Sequence, residues 1–135
     1  MLRSAFSRPL ISRTMASKVP KQYQFEDIKQ LVLKPNNSKV LVDVREVGEL
    51  QEYRLPNSIN LPLKTYPGAL SLAPDEFKEV FGIEKPSMDK ELIFFCAAGV
   101  RAQAAQELAN SYGYVNTAVW PGSIKEWLSK GGDKL

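Results

Sequence analysis

The chain has 135 residues, 44% hydrophobic and 24% charged, enough for one compact core and too few for two ordinary domains. It carries a formal charge of +3, and no apolar run approaches the ~18 residues of a membrane span. It has no histidine and one cysteine, which excludes Ser-His-Asp and Cys-His catalysis, histidine metal sites, Cys-x-x-Cys redox pairs and disulfides within one chain.

The first 18 residues are rich in Arg and Ser and lack Asp and Glu. Arg3, Arg8 and Arg13 alternate with Leu2, Phe6, Leu10 and Ile11, and the first acid is Glu26. This composition predicts a mitochondrial presequence over residues 1–17, addressed to the matrix, followed by one domain over 22–135. Pro9 limits the length of any amphipathic helix there, and Met15 stands where a shorter, untargeted form would start. A secretory signal fits poorly, because the apolar core of about 7–15 residues is missing. Without the three arginines the remaining 15 basic residues face 15 acids, so the body has no basic bias toward nucleic acid.

Phe25, Ile28, Leu31 and Val32 recur at helical spacing before Pro35 and predict a helix over 25–33. Residues 39–44 form a β-branched apolar run ending in charge, the pattern of a central strand buried on both faces. Residues 47–53 read as helical and 58–61 as a short strand, followed by a loop over 63–73 punctuated by Pro67 and Gly68. Pro74 opens a helix with Phe77, Val80 and Phe81 on one face and Gly82 as its stop. Residues 91–95 form a second buried strand, with Cys96 at its carboxyl end. A helix over 101–112 closes at Gly113, a last strand covers 117–120, and Ser123 is expected to cap a final helix containing Ile124, Trp127 and Leu128. Strands alternating with helices make an α/β fold around a largely parallel sheet.

Taken alone, Cys96 reads as one more small buried hydrophobe. Its position changes that reading, because reactive sites in open α/β sheets lie beyond the carboxyl ends of strands. Cys96, Ala97, Ala98, Gly99, Val100 and Arg101 link a strand to a helix in a tight turn whose small residues let backbone N–H groups face inward as an anion-binding nest. Those groups, the following helix N-terminus and Arg101 favour a thiolate without a histidine base. The same cradle suits the anionic end of a sulfur donor whose outer sulfur Cys96 attacks.

These segments resemble the single-domain rhodanese family, thiosulfate sulfurtransferase-like and of the mitochondrial kind found in fungi. Val42-Asp43-Val44-Arg45-Glu46 with Glu49 is similar to the family's first strand signature, and Ile59-Asn60-Leu61-Pro62 to its second. Cys96 to Arg101 resembles its active-site loop, and Gly113-Tyr114 with Trp120-Pro121-Gly122-Ser123-Ile124 and Trp127 its closing strand and helix. The resemblance implies a single α/β domain with a parallel sheet of about five strands and helices on both faces. It makes Cys96 the persulfide-forming nucleophile, places Ala97, Ala98, Gly99, Val100 and Arg101 around the bound substrate, and lets Arg101 fix the loop or the donor. Asp43 and Arg45 are expected to brace the site, since charged residues at a central strand's end need partners. Trp120 and Trp127 are expected in the core.

The implied reaction takes a sulfane sulfur from thiosulfate or glutathione persulfide and passes it to cyanide or a thiol, carried by a small molecule or by an acceptor protein. No metal or organic cofactor, nucleic acid or membrane span is implied. Two features depart from the pattern: Tyr53-Arg54-Leu55-Pro56 replaces the usual Gly-His, and Ala97 and Ala98 stand where thiosulfate-specialised members carry basic residues. The rival readings are a rhodanese-like cysteine phosphatase or arsenate reductase, and a non-catalytic binding module. Phosphatases of that type place five residues between Cys and Arg, whereas four separate Cys96 from Arg101. Binding modules often lose the cysteine, which is kept here.

Overall fold

The computed structural model describes residues 20–135. The expected presequence and the alternative start at Met15 lie outside the described residues. Five parallel strands form one sheet: β1 (Lys21–Gln22), β2 (Lys39–Asp43), β3 (Ser58–Asn60), β4 (Glu91–Phe95) and β5 (Thr117–Val119), in the order β1-β5-β4-β2-β3. β4 is central and buried along its whole length, with Val42 opposite Phe94 and Asp43 opposite Phe95 on one side and Phe94 opposite Val119 on the other. Strands buried on both faces explain the continuous apolar runs over 40–42 and 92–95.

Four helices cover the two faces: α1 (Phe25–Leu33), α2 (Pro74–Phe81), α3 (Val100–Ser111) and α4 (Ser123–Ser129). Alternate strand residues point to opposite sides. Leu41, Ile93 and Phe95 therefore pack with Ile28 of α1 and Ile124 and Trp127 of α4, while Val42, Phe94 and Cys96 pack with Phe77 of α2 and Ala102, Ala105 and Ala109 of α3. Trp120 and Trp127 are fully buried and meet edge to face at 5.9 Å, in the core as expected. Among the described residues no helix is long and apolar enough to cross a membrane.

Three local expectations are corrected. Residues 47–53 form a shorter 3-10 turn, Val47–Gln51, which leaves the backbone of Tyr53 free for side-chain capture. A further 3-10 turn, Ala69–Ser71, interrupts the loop over 63–73. Ser123 does not cap α4: Gly122 occupies the cap position, and the Ser123 side chain is fully buried and bonded elsewhere. The edge strand β1 is an addition, carried by two polar residues with no periodic signal.

Candidate active site

The connections of the sheet diverge beside its centre. β2 runs outward to β3, whereas β4, on the other side of β2, runs on to β5. The segments after β2 and β4 thus leave neighbouring strand ends in opposite directions and open a crevice between them. Cys96 is the first residue beyond β4.

Its backbone is held from both ends. The Cys96 N–H donates to Ser123 Oγ at 3.1 Å, and that hydroxyl donates to the Trp120 carbonyl at 2.9 Å. The Cys96 carbonyl accepts from the Ile124 N–H at 3.1 Å, and the Ala97 carbonyl from the Lys125 N–H at 2.9 Å. In a trans peptide the C=O and the next N–H point oppositely, so the Ala97 and Ala98 N–H groups face away from α4. The Gly99 N–H donates to Cys96 Sγ at 3.0 Å. Gly99 adopts φ 96°, and a Cβ there would strike the Pro121 carbonyl oxygen, so only glycine lets the loop lie this close to the β5–α4 turn. Cys96 itself is 1% exposed, at the floor of the crevice, while Ala98 and Val100 stand exposed at its rim.

Arg101 turns to an acid 52 residues away in sequence. Its Nη1 and Nη2 donate to Glu49 Oε1 at 2.6 Å and Oε2 at 3.0 Å, the bidentate fork that guanidinium and carboxylate favour. Those bonds hold the Glu49 carboxyl down at about 2, against an ordinary value of 4.5. They also raise Arg101 above its usual range, against the opposing effect of burial. Arg101 therefore ties α3 to the segment after β2. Glu49 stood in the first strand signature without an assigned role, and nothing in its spacing named Arg101 as partner.

Asp43 and Arg45 are both buried, and their side chains meet at 2.7 Å. Arg45 also donates to the carbonyls of Tyr53 at 2.8 Å and Glu49 at 3.4 Å, and its own N–H donates to Asp43 Oδ1 at 3.0 Å. The pair folds residues 45–53 back on β2 and so sets Glu49 in front of Arg101. Asn60 Nδ2 clamps the same stretch through the carbonyls of Asp43 and Arg45, both at 2.9 Å. Glu46 accepts from the N–H groups of Lys64 and Thr65 and from the Thr65 hydroxyl, at 2.9, 3.2 and 2.5 Å. Partial burial works against its ionisation, but these bonds prevail and its carboxyl lies below the usual range. Ser123, Glu46 and Glu49 are thus supports whose part in the site the motifs that contain them did not reveal.

A parallel five-stranded sheet with a small-residue, amide-lined turn after its central strand, and a cysteine at the floor of that turn, defines a class. The rhodanese-like domain family model matches residues 24–130, and the chain belongs to the rhodanese family. Within it the chain is 55% identical over 129 residues to the mitochondrial thiosulfate sulfurtransferase RDL2 of Saccharomyces cerevisiae, covering 96% of this chain and 87% of that one. The thiosulfate:glutathione sulfurtransferase of the same yeast is 50% identical over 113 residues, 84% and 81% of the two chains. The crystal structure of the yeast single-domain sulfurtransferase RDL2 superposes with a TM-score of 0.83 at 56% identity, covering 85% of this chain and 94% of that one. The protein is a single-domain sulfurtransferase of this family.

Proposed function

We propose that the protein takes a sulfane sulfur from thiosulfate onto Cys96 and passes it to a small thiol such as glutathione. The observation that carries this reading is the placement of Cys96 Sγ at the floor of the crevice, 3.0 Å from the Gly99 N–H, with the Ala97 and Ala98 N–H groups turned away from α4. A thiolate there attacks the outer sulfur of thiosulfate; the S–S bond of the donor breaks, sulfite leaves with the electron pair, and Cys96 becomes a persulfide. The amides are oriented before reaction toward the anionic sulfur, so little reorganisation is needed. The acceptor thiolate then attacks the outer sulfur, forms its own persulfide and returns the Cys96 thiolate. Cyanide in its place gives thiocyanate.

The names of the yeast relatives support thiosulfate as donor and glutathione as one acceptor. In this reading Cys96 is the catalytic residue, Ala97, Ala98, Gly99 and Val100 line the bound donor, and Arg101, Asp43 and Arg45 position the loop. Residues 1–17 direct the chain to the mitochondrial matrix, in keeping with the mitochondrial relatives, and 22–135 form the catalytic domain.

Intact-mass measurement after incubation with thiosulfate decides the chemistry. The native chain is expected to gain one sulfur atom, lose it on adding cyanide or glutathione, and gain none as Cys96→Ser. Hydrolysis of an aryl phosphate without sulfur uptake would replace this reading with the phosphatase, and silence in both assays would leave a binding module. Residues 1–20 fused to a fluorescent reporter are expected to bring it into the matrix; a cytosolic reporter would remove the targeting claim.

A further inference from the structure

Charge around the cradle is unbalanced. Glu46 and Glu49 are both held in their ionised forms, and the guanidinium that follows Cys96 in the first turn of α3, Arg101, is already forked onto Glu49. Asp43 and Arg45 cancel one another. The loop contributes no other cation between Cys96 and Arg101. A doubly charged anion approaching Cys96 therefore meets an excess of negative charge unless further cations stand beside the crevice.

Two lysines are carried by the segments that bond to the loop and to its acidic neighbour, one on each side. Lys125 is joined to the loop itself, its N–H donating to the Ala97 carbonyl at 2.9 Å on the α4 side. Lys64 lies on the β2–β3 side, its N–H donating to Glu46 Oε2 at 2.9 Å. The residue before it, Leu63, bonds the Val44 carbonyl, and the Val44 N–H bonds the carbonyl of Phe95, next to Cys96. Both lysines are exposed, and among the described residues neither ammonium has a hydrogen-bond or ion-pair partner. Lys21, Lys39, Lys78 and Lys130 are each paired with a glutamate, while Lys29, Lys34, Lys90 and Lys134 also lack a partner among the described residues, so it is their place beside the loop that sets Lys64 and Lys125 apart. The neighbouring acid on α4, Glu126, is occupied by Trp120 Nε1 at 3.0 Å and Lys130 at 3.7 Å.

We propose that Lys64 and Lys125 are specificity-determining residues that draw a dianionic sulfane donor of the thiosulfate type to Cys96 from both sides of the cradle. The proposal rests on the sulfur-transfer reading above. Flexible lysine stems suit the role, since a point charge that follows the ion attracts it without fixing its orientation.

The test uses the full chain as native protein, Lys64→Gln, Lys125→Gln and the double variant. Two measurements are made: the second-order rate of persulfide formation from thiosulfate, and the ratio of Cys96 alkylation by iodoacetate to that by iodoacetamide. The two alkylators share a shape and differ in charge, so their ratio reports the local potential whether or not the protein transfers sulfur. In the double variant the loading rate is expected to fall about fivefold at low salt, the alkylation ratio, which reports on a singly charged reagent, about twofold, and the salt dependence of loading to flatten. Alkylation by neutral iodoacetamide stays constant, which a merely structural effect on the loop would not allow. Unchanged loading and an unchanged ratio in the double variant overturn the proposal, as does a fall in the ratio with loading intact. Failure of the native protein itself to load would instead sink the sulfur-transfer reading, and the alkylation ratio would still decide the lysines.

Discussion

Ser123 holds the reactive loop through a single hydroxyl. Buried completely and at φ 56°, it accepts from the Cys96 N–H and donates to the Trp120 carbonyl. A positive φ is costly for a residue with a side chain, and the two bonds account for its persistence. Ser123→Ala leaves a buried N–H unpaired beside the nucleophile. Its expected cost is about 1–3 kcal/mol, read as a lower urea midpoint at constant slope, together with slower sulfur loading. Ser123→Gly relieves the backbone strain yet removes the same bonds. It too is expected to lose stability, and a Ser123→Gly protein as stable as the native chain would show that the hydroxyl contributes nothing.

The segment after β2 is an arm that carries Glu49 to Arg101. Glu49 titrates at about 2 in the folded chain against an ordinary 4.5, so the native state binds its proton less readily than the unfolded one. The stabilisation is complete above pH 4.5 and is lost as the pH falls through about 2. Its size is modest, because the Glu49 side chain is 37% exposed and solvent screens the pair. Urea melts across that interval are expected to show a decline in the native protein. Glu49→Gln is expected to be less stable at neutral pH and to decline less in acid; an identical decline in both would assign the acid sensitivity to other groups.

At this scale most of the architecture was legible beforehand, because periodicity and stops are local: α1, α2 and β4 begin and end where Phe25, Pro74, Gly82 and the 91–95 run place them. Cys96 was legible as the site because a strand end followed at once by small residues and a helix has few other uses. The bond between Arg101 and Glu49 and the Glu46–Thr65 latch were not, since they join residues 52 and 19 positions apart that only the stacking of β3, β2 and β4 brings together. Ser123 was misread because a serine after Pro-Gly and before an apolar helix has the local look of a cap.

The whole molecule is anchored at the opposite end of the sheet by a buried acid. Glu91, 6% exposed at the start of β4, accepts from the Tyr23 hydroxyl at 2.7 Å and lies 3.6 Å from both Lys21 and Lys39. Burial and the neighbouring carboxylate push the Tyr23 phenol up to about 12. A chain starting at residue 25 loses β1, Tyr23 and Lys21 together and leaves Glu91 with Lys39 alone. Relative to a chain starting at residue 20 it is expected to lose about 3 kcal/mol or more in urea melts, and equal midpoints would show that β1 is dispensable. At the other end, Cys96 is the one thiol in the chain and lies almost wholly out of solvent. Under the proposed chemistry a charged chain has no neighbouring cysteine with which to close a ring and expel its cargo. Idle molecules then keep their sulfur until an outside thiol arrives. A population of such chains behaves as a capacitor for zero-valent sulfur, its charge set by the ratio of donor to acceptor and not by the time since loading.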